Sequence, residues 1–248
     1  MLVAGDIHGE WENLADRLRQ RNIRSTTILQ VGDFGVGFLN KNDERRRLER
    51  LDRALDERDL TLYAIRGNHD DPTYFAPDRE HRWERIHLVP DYTLLAIGCQ
   101  RILCVGGAIS IDRRQRHVGV SYWPDEGVVF DPTALHAMDL SAVSAVVTHT
   151  APSFAPPLQW SSLVWDFVRN DPHLAEDLNA ERSAMDALYE AVTMRCAPQW
   201  WAYGHFHAHA TAQHEGMEFR LLNVVEVRES PDNDVSLMRD SMGAEHAP

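Results

Sequence analysis

Polar and apolar positions alternate in a regular order over the first third of the chain. Leu2-Val-Ala is a short apolar run that stops at Gly5-Asp6-Ile7-His8-Gly9. From Glu10 to about Gln20, Trp11, Leu14, Ala15 and Leu18 recur at helical spacing, which predicts an amphipathic helix. Thr26 to Val31 reads as a second strand, ended by Gly32-Asp33-Phe34-Gly35. Asn42 or Asp43 then caps a predicted helix reaching Arg58, with Leu48, Leu51 and Leu55 as its apolar stripe. Leu60 to Ile65 is a third apolar run, followed by Arg66 and Gly67-Asn68-His69-Asp70. Strand, helix, strand, helix, strand argues a parallel sheet with helices packed on it.

Beyond Ile86 the pattern changes. Ile86–Val89, Thr93–Ile97 and Arg101–Val105 are short runs that predict a meander opening a second sheet. Gly106-Gly107 starts a loop that carries Arg113, Arg114 and Arg116, and Asp131-Pro132 caps and opens a short helix. Ala142–Val147 is a further strand, ending at Thr148-His149. The segment Ala151–Pro172, with Trp160, Trp165 and Phe167, reads as a locally packed loop, or alternatively as an apolar lid or interface patch. Ala175 to about Arg195 is helical, Gln199–Tyr203 is a strand ending at Gly204-His205-Phe206-His207, and 208–222 forms a hairpin turning at Glu215-Gly216. One domain over 1–228 is expected, with 229–248 an acidic tail in which Val235–Met238 could add an edge strand.

Composition narrows the function classes. A hydrophobic content of 44% and a charged content of 25% suit a globular chain with a core. The net charge of −13 argues against sequence-independent nucleic-acid binding, which relies on Lys and Arg neutralising phosphates. It leaves room for an anionic substrate, because a bound cation inverts the local field. Met1-Leu-Val-Ala reaches Asp6 too early for a secretory signal, and no apolar run is long enough to span a bilayer. Cys99, Cys104 and Cys196 lack ligand spacing, and Cys99 and Cys104 read as buried thiols. A cytoplasmic protein with no membrane contact is the expectation.

The chemistry collects where the strands end. Asp6/His8, Asp33, Asn68/His69, His149 and His205/His207 all follow predicted strands, and in such sheets ligands bind beyond the carboxyl ends. Mixed imidazole and oxygen donors suit Zn, Fe, Mn or Ni and differ from an all-oxygen Ca or Mg cage. There are more donors than one tetrahedral site uses, and Asp33, alone on the middle of the first three strand ends, is the natural bridge between two metals. Two metals ~3.5–4 Å apart suit in-line displacement at phosphorus. Arg66, Arg113, Arg114 and Arg116 are candidates for contacts to a substrate phosphate, since the guanidinium fork matches it. A structural ion pair is the competing reading for each of them.

The ordered blocks Asp6-x-His8, Gly32-Asp33, Gly67-Asn68-His69-Asp70, His149 and Gly204-His205-x-His207 resemble the calcineurin-like metallophosphoesterase family. The resemblance runs from Asp6 to His207 and implies an α/β fold, a four-layer α/β/β/α sandwich of two mixed sheets flanked by helices. It implies that Asp6, His8 and His207 bind one metal, that Asn68, His149 and His205 bind a second, and that Asp33 bridges them. It also implies that His69 stays outside the coordination shell and protonates the leaving oxygen, with Asp70 orienting it. The implied cofactors are two divalent or trivalent transition-metal ions, manganese first, with iron, zinc or nickel as alternatives. The implied reaction is hydrolysis of phosphomonoesters or phosphodiesters, small molecules or nucleotides, by a metal-bridging hydroxide.

Departures from the pattern shape the substrate expectation. Protein phosphatases and diadenosine-tetraphosphate hydrolases continue the second block as Gly-Asp-x-x-Asp-Arg-Gly, whereas this chain runs Gly32-Asp33-Phe34-Gly35-Val36-Gly37. They also place a ligand His before Gly-Gly, where Val105 stands here. Protein phosphatase activity is therefore disfavoured, and the chain looks more like the broad bacterial and phage branch. A nuclease of the same superfamily and a non-catalytic scaffold with this fold are the alternatives. The acidic balance counts against the first and the complete donor set against the second.

Overall fold

A computed structural model describes residues 1–231 of the 248-residue chain. The expected strand at Val235–Met238 lies outside those residues. The first sheet has the order β11-β1-β2-β3-β4, made of Leu2–Ala4 (β1), Thr26–Gln30 (β2), Leu60–Ile65 (β3), Ile86–Val89 (β4) and Val227–Glu229 (β11). β1 to β4 run parallel, and β11 returns antiparallel against β1. The second sheet has the order β5-β6-β7-β8-β10-β9. Its parallel centre is Gln100–Val105 (β6), Ala145–Thr148 (β7), Trp200–Tyr203 (β8) and Met217–Leu221 (β10). Thr93–Ile97 (β5) and Ala210–His214 (β9) close the two edges antiparallel.

Strand periodicity builds the layers. In β1, Leu2 and Ala4 face the helices α1 (Trp11–Gln20) and α2 (Lys41–Asp56), while Val3 faces the other sheet. In β7, Val146 packs outward beneath α5 (Leu174–Thr193), while Ala145 and Val147 face inward. Three apolar cores therefore alternate with four layers, as expected for the α/β/β/α sandwich. Both faces of each sheet are buried, which is why the central strands read as continuous apolar runs.

Several expectations need correction. Ile86–Val89 does not open the second sheet but pairs parallel with β3 in the first; only β5 and β6 form the antiparallel pair expected of a meander. The cap of α2 is Asn40, whose side chain accepts from the Asn42 amide at 3.0 Å, so the helix starts earlier than predicted. Cys99 is exposed, because Gly98-Cys99 forms the turn between β5 and β6. Val227–Glu229 belongs to the first sheet, so ordered structure runs one residue into the expected tail. Within 151–172 there is a helix, α4 (Ser162–Val168), capped by Ser161. The short helix α3 (Pro132–Ala137) begins as expected, with the Asp131 carboxylate accepting from two amides. Among the described residues no helix is long and apolar enough to cross a membrane.

Candidate metal centre

Register brings the donor-bearing loops to one level. Ala4 of β1 lies beside Gln30 of β2, and Gln30 beside Ala64 of β3, so Asp6, Asp33 and Asn68 leave neighbouring strand ends together. His149 follows β7, and His205 and His207 follow β8, next to each other in the second sheet. Backbone bonds tie neighbouring loops within each sheet: the Ile7 and His8 amides both donate to the Asp33 carbonyl, and the Gly204 amide donates to the His149 carbonyl. The His205 amide reaches the Asp6 carboxylate at 3.0 Å, linking the two sheets directly.

Two groups of donors result. In the first, Asp6, His8, Asp33 and His207 offer ligand atoms that all lie within 4.8 Å of one another. His8 Nε2 and His207 Nε2 are 2.9 Å apart, and His207 Nε2 lies 3.3 Å from Asp6 Oδ2. In the second group the Asn68 side-chain oxygen sits 3.1 Å from His149 Nε2 and 2.9 Å from His205 Nδ1. His149 Nε2 is also 3.1 Å from Asp33 Oδ1. Asp33 stands between the groups, its Oδ1 facing His149 and its Oδ2 facing His8 at 3.6 Å.

The donor set fits a cation. His149 Nδ1 donates to the Val31 carbonyl at 2.8 Å, which turns Nε2 inward as the nitrogen that can ligate a cation in place of its proton. The Asn68 side-chain amide donates to Ser110 Oγ at 3.0 Å, and Ser110 in turn gives its hydroxyl and its backbone N–H to the Glu126 carboxylate at 2.9 and 2.6 Å. That chain fixes the amide so that its oxygen faces inward. Oxygen and imidazole acceptors aimed at one another in a buried place repel unless protons or a cation lie between them.

Backbone conformation carries the same signal. His8, Asp33, His205 and His207 all have φ between 48° and 69°, the left-handed region that costs a side-chain-bearing residue roughly 1–3 kcal/mol. Four such residues among the donors show strain concentrated where the chemistry lies. Electrostatics is tuned in opposite directions within the site. Burial opposes ionisation of Asp33, yet His149, His69 and His8 hold its carboxyl well below the usual range. Burial likewise opposes charge on His149, but the Asp33 carboxylate raises it to about 9. His205 is lowered by burial and by His149.

His69 lies beside these groups. Its backbone amide donates to Asp33 Oδ1 at 2.7 Å, while its ring meets His8 edge-on and stacks on Phe38. Arg116 donates to the ring Nε2, and burial, opposed by Asp33, lowers the ring's pKa to about 4. The ring is therefore neutral near pH 7, with Nε2 acting as acceptor.

Asp70 does not orient that ring. Its carboxylate accepts from the amides of Phe34, Gly35, Val36 and Gly67 at 2.7–3.1 Å, binding the loop after β2 to the loop after β3. Burial, with Asp33 nearby, pushes its pKa up to about 7 against those four donors. Asp70→Ala leaves four buried N–H groups unpaired and is expected to cost about 3 kcal/mol or more in urea denaturation. A loss below about 1 kcal/mol would show that water replaces the carboxylate.

The arginines divide. Arg66 is buried and donates to Asp91 and to the carbonyls of Glu126 and Gly127, so its fork points into the protein. Arg113 pairs with Asp171 and Asp177 at 2.7 and 2.6 Å, and the exposed Arg114 donates to the Asn170 carbonyl. Only Arg116 of the four lines the cavity beside the donors, paired with Asp112 at 2.7 Å. Ser110 and Glu126 escaped the sequence reading altogether, and no motif marks them. The Trp160, Leu163, Val164 and Phe167 wall did leave a signal, since those positions have helical spacing.

The calcineurin-like phosphoesterase family model matches residues 1–209. The chain belongs to that family. Its fold is the one the family resemblance implied, and the family is metal-dependent. Among curated proteins no sequence matches it. Among solved structures it is similar to phosphopantetheinyl hydrolase (PptH) from Mycobacterium tuberculosis, at 13% identity and a TM-score of 0.44, over 90% of this chain and 89% of that one. It is also similar to GAP50, the anchor in the inner membrane complex of Plasmodium, at 11% identity and 0.42 over 90% and 71%. A Vps29 single mutant from Entamoeba histolytica gives 15% and 0.33 over 93% and 78%. Likenesses at this level transfer no activity.

Proposed function

We propose that this member of the family is a two-metal phosphoesterase that hydrolyses small phosphate monoesters or diesters. The observation that carries the reading is Asp33, whose two oxygens face two separate donor groups. Asp6, His8 and His207 would hold one ion, and Asn68, His149 and His205 the other, with Asp33 shared. Manganese suits the mixed donors, as do iron, zinc and nickel. When bound, such ions acidify water toward neutral pH and supply positive charge for the oxygens of the phosphoryl group.

The protein's own residues would do the remaining work. The Ser110–Glu126 chain holds the Asn68 oxygen inward, and the Val31 carbonyl holds the His149 tautomer. Arg116 and His69, already hydrogen-bonded to each other at the cavity wall, would both reach an ester oxygen placed between them. Water supplies the new bond to phosphorus, the ester P–O bond breaks, and the departing oxygen takes a proton. His69 is the group placed to deliver it once the substrate's negative charge favours the protonated ring.

Turnover of bis(p-nitrophenyl) phosphate and p-nitrophenyl phosphate with added Mn²⁺ tests the reading, and failure with every metal and ester would end it. Division of labour within Gly67-Asn68-His69-Asp70 gives a finer test. Asn68→Ala is expected to lower metal content, measured on purified protein. His69→Ala is expected to keep the metal and slow esters with poor leaving groups about 10²-fold or more. Equal metal loss in both variants would refute the division. The acidic balance disfavours a nuclease, so DNA association is expected to be weak and insensitive to salt.

A further inference from the structure

A cavity of about 680 Å³ opens beside the donor groups, with Asp33, Asn68, His205 and His207 in its wall. It is large for a phosphate group and falls within the roughly 300–1,000 Å³ typical of small-molecule sites. The same cavity is lined by Trp160, Leu163, Val164 and Phe167 on and before α4, together with Leu178 and Phe206. From these positions the geometry points to a subsite for an extended apolar group. The substrates it assigns are phosphate esters whose organic part is aliphatic or aryl, rather than a sugar or a nucleoside. This inference rests on the phosphoesterase reading of the adjoining centre.

The polar inventory of the cavity makes the argument. Arg182 lines it, but its guanidinium donates to the carbonyls of Ala151, Pro152 and Pro157 and lies over the Phe206 ring. Glu181 lines it too, yet its two oxygens accept from the Ile109 amide and the Thr150 hydroxyl at 2.6 and 2.9 Å. Asp112 is paired with Arg116. Gln159 and Ser161 also line the cavity, both exposed, with Ser161 Oγ accepting from the Val164 amide of α4. Hydroxyls of a sugar, or the edge of a base, seated against Arg182, Glu181 and Asp112 would leave water and find those groups already committed, which is costly. An alkyl chain or aryl ring gains by the same move.

The apolar wall is also held in place. Arg182 fixes the start of the 151–171 segment through three carbonyls, and Arg113 and Arg114 fix its end through Asp171 and the Asn170 carbonyl. Clamped at both ends, α4 is a preformed wall, so little ordering cost opposes binding. Leu158, Leu163 and Trp165 remain exposed near the mouth, extending the apolar surface outward.

The test is a series of non-hydrolysable phosphonates, methyl, butyl, hexyl and octyl, titrated calorimetrically into the Mn²⁺-loaded protein. The dissociation constant is expected to fall about three-fold per added methylene through the series. In Leu163→Ser, an exposed position that tolerates the change, and in Phe167→Ser, that slope should flatten while metal content stays unchanged. The phosphonate analogues of ribose 5-phosphate and AMP, equally non-hydrolysable, are expected to bind no more tightly than methylphosphonate. A flat series in the wild type, or a slope that survives in both variants, overturns the subsite. Binding is read without turnover, so a steep series in a protein that hydrolyses nothing removes the catalytic reading and keeps the subsite. Turnover with a flat series does the reverse.

Discussion

Asp33→Asn is expected to lower turnover of bis(p-nitrophenyl) phosphate with added Mn²⁺ by about 10³-fold or more, and to lower the metal content of the purified protein. The substitution keeps the shape of the side chain and an acceptor for the His69 amide, which now donates to Asp33 Oδ1 at 2.7 Å. The loops after β2 and β3 should therefore stay joined, helped by the four amides on Asp70. What changes is charge. Asp6 and Asp33 are the two carboxylates among the proposed donors, and Asp33 alone faces both groups. An amide offers one oxygen where the carboxylate offered two, and its nitrogen would confront either His8 or His149. A variant with wild-type metal content and turnover within about ten-fold would show that Asp33 is not shared.

Much of the centre was legible because each donor follows directly on an apolar run. Asp6, Asp33, Asn68, His149 and His205 could be placed at strand ends before any pairing was known, and parallel strands bring such ends together. Ile86–Val89 was assigned to the wrong sheet for the complementary reason: a short apolar run shows that it is a strand but not which partner it takes. The arginines show a second limit. Sequence places Arg66 beside the donors, but only the fold reveals Asp91 and the carbonyls of Glu126 and Gly127 behind it. Ser110 and Glu126 act on Asn68 through contacts 42 and 16 residues apart in the chain, for which no local pattern exists. By contrast, the α4 wall had its helical spacing in view, obscured by the prolines and serines around it.

Gly67→Ala tests whether the close approach of these loops is itself required. A Cβ at Gly67 would stand 2.1 Å from Asp33 Oδ1, 2.3 Å from the Asp33 backbone nitrogen and 2.7 Å from His149 Nε2. None of the three can withdraw easily. The nitrogen belongs to the strained backbone of Asp33, the carboxylate is held by the His69 amide, and the imidazole is tied to the Val31 carbonyl. The methyl group must therefore push the loop after β3 outward, carrying Asn68 with it. A displacement of about 1 Å is enough to cost roughly 10²-fold in rate, and metal content is expected to fall with it. Gly216→Ala provides the contrast, because Gly216 has φ of 83° but nothing within 4 Å of the added carbon. That change is expected to cost only about 1–2 kcal/mol of backbone strain while keeping metal and turnover. Equal loss of metal in both variants would mean that general destabilisation is responsible. Loss confined to Gly67→Ala would mean that the centre depends on a backbone approaching its donors too closely for any side chain.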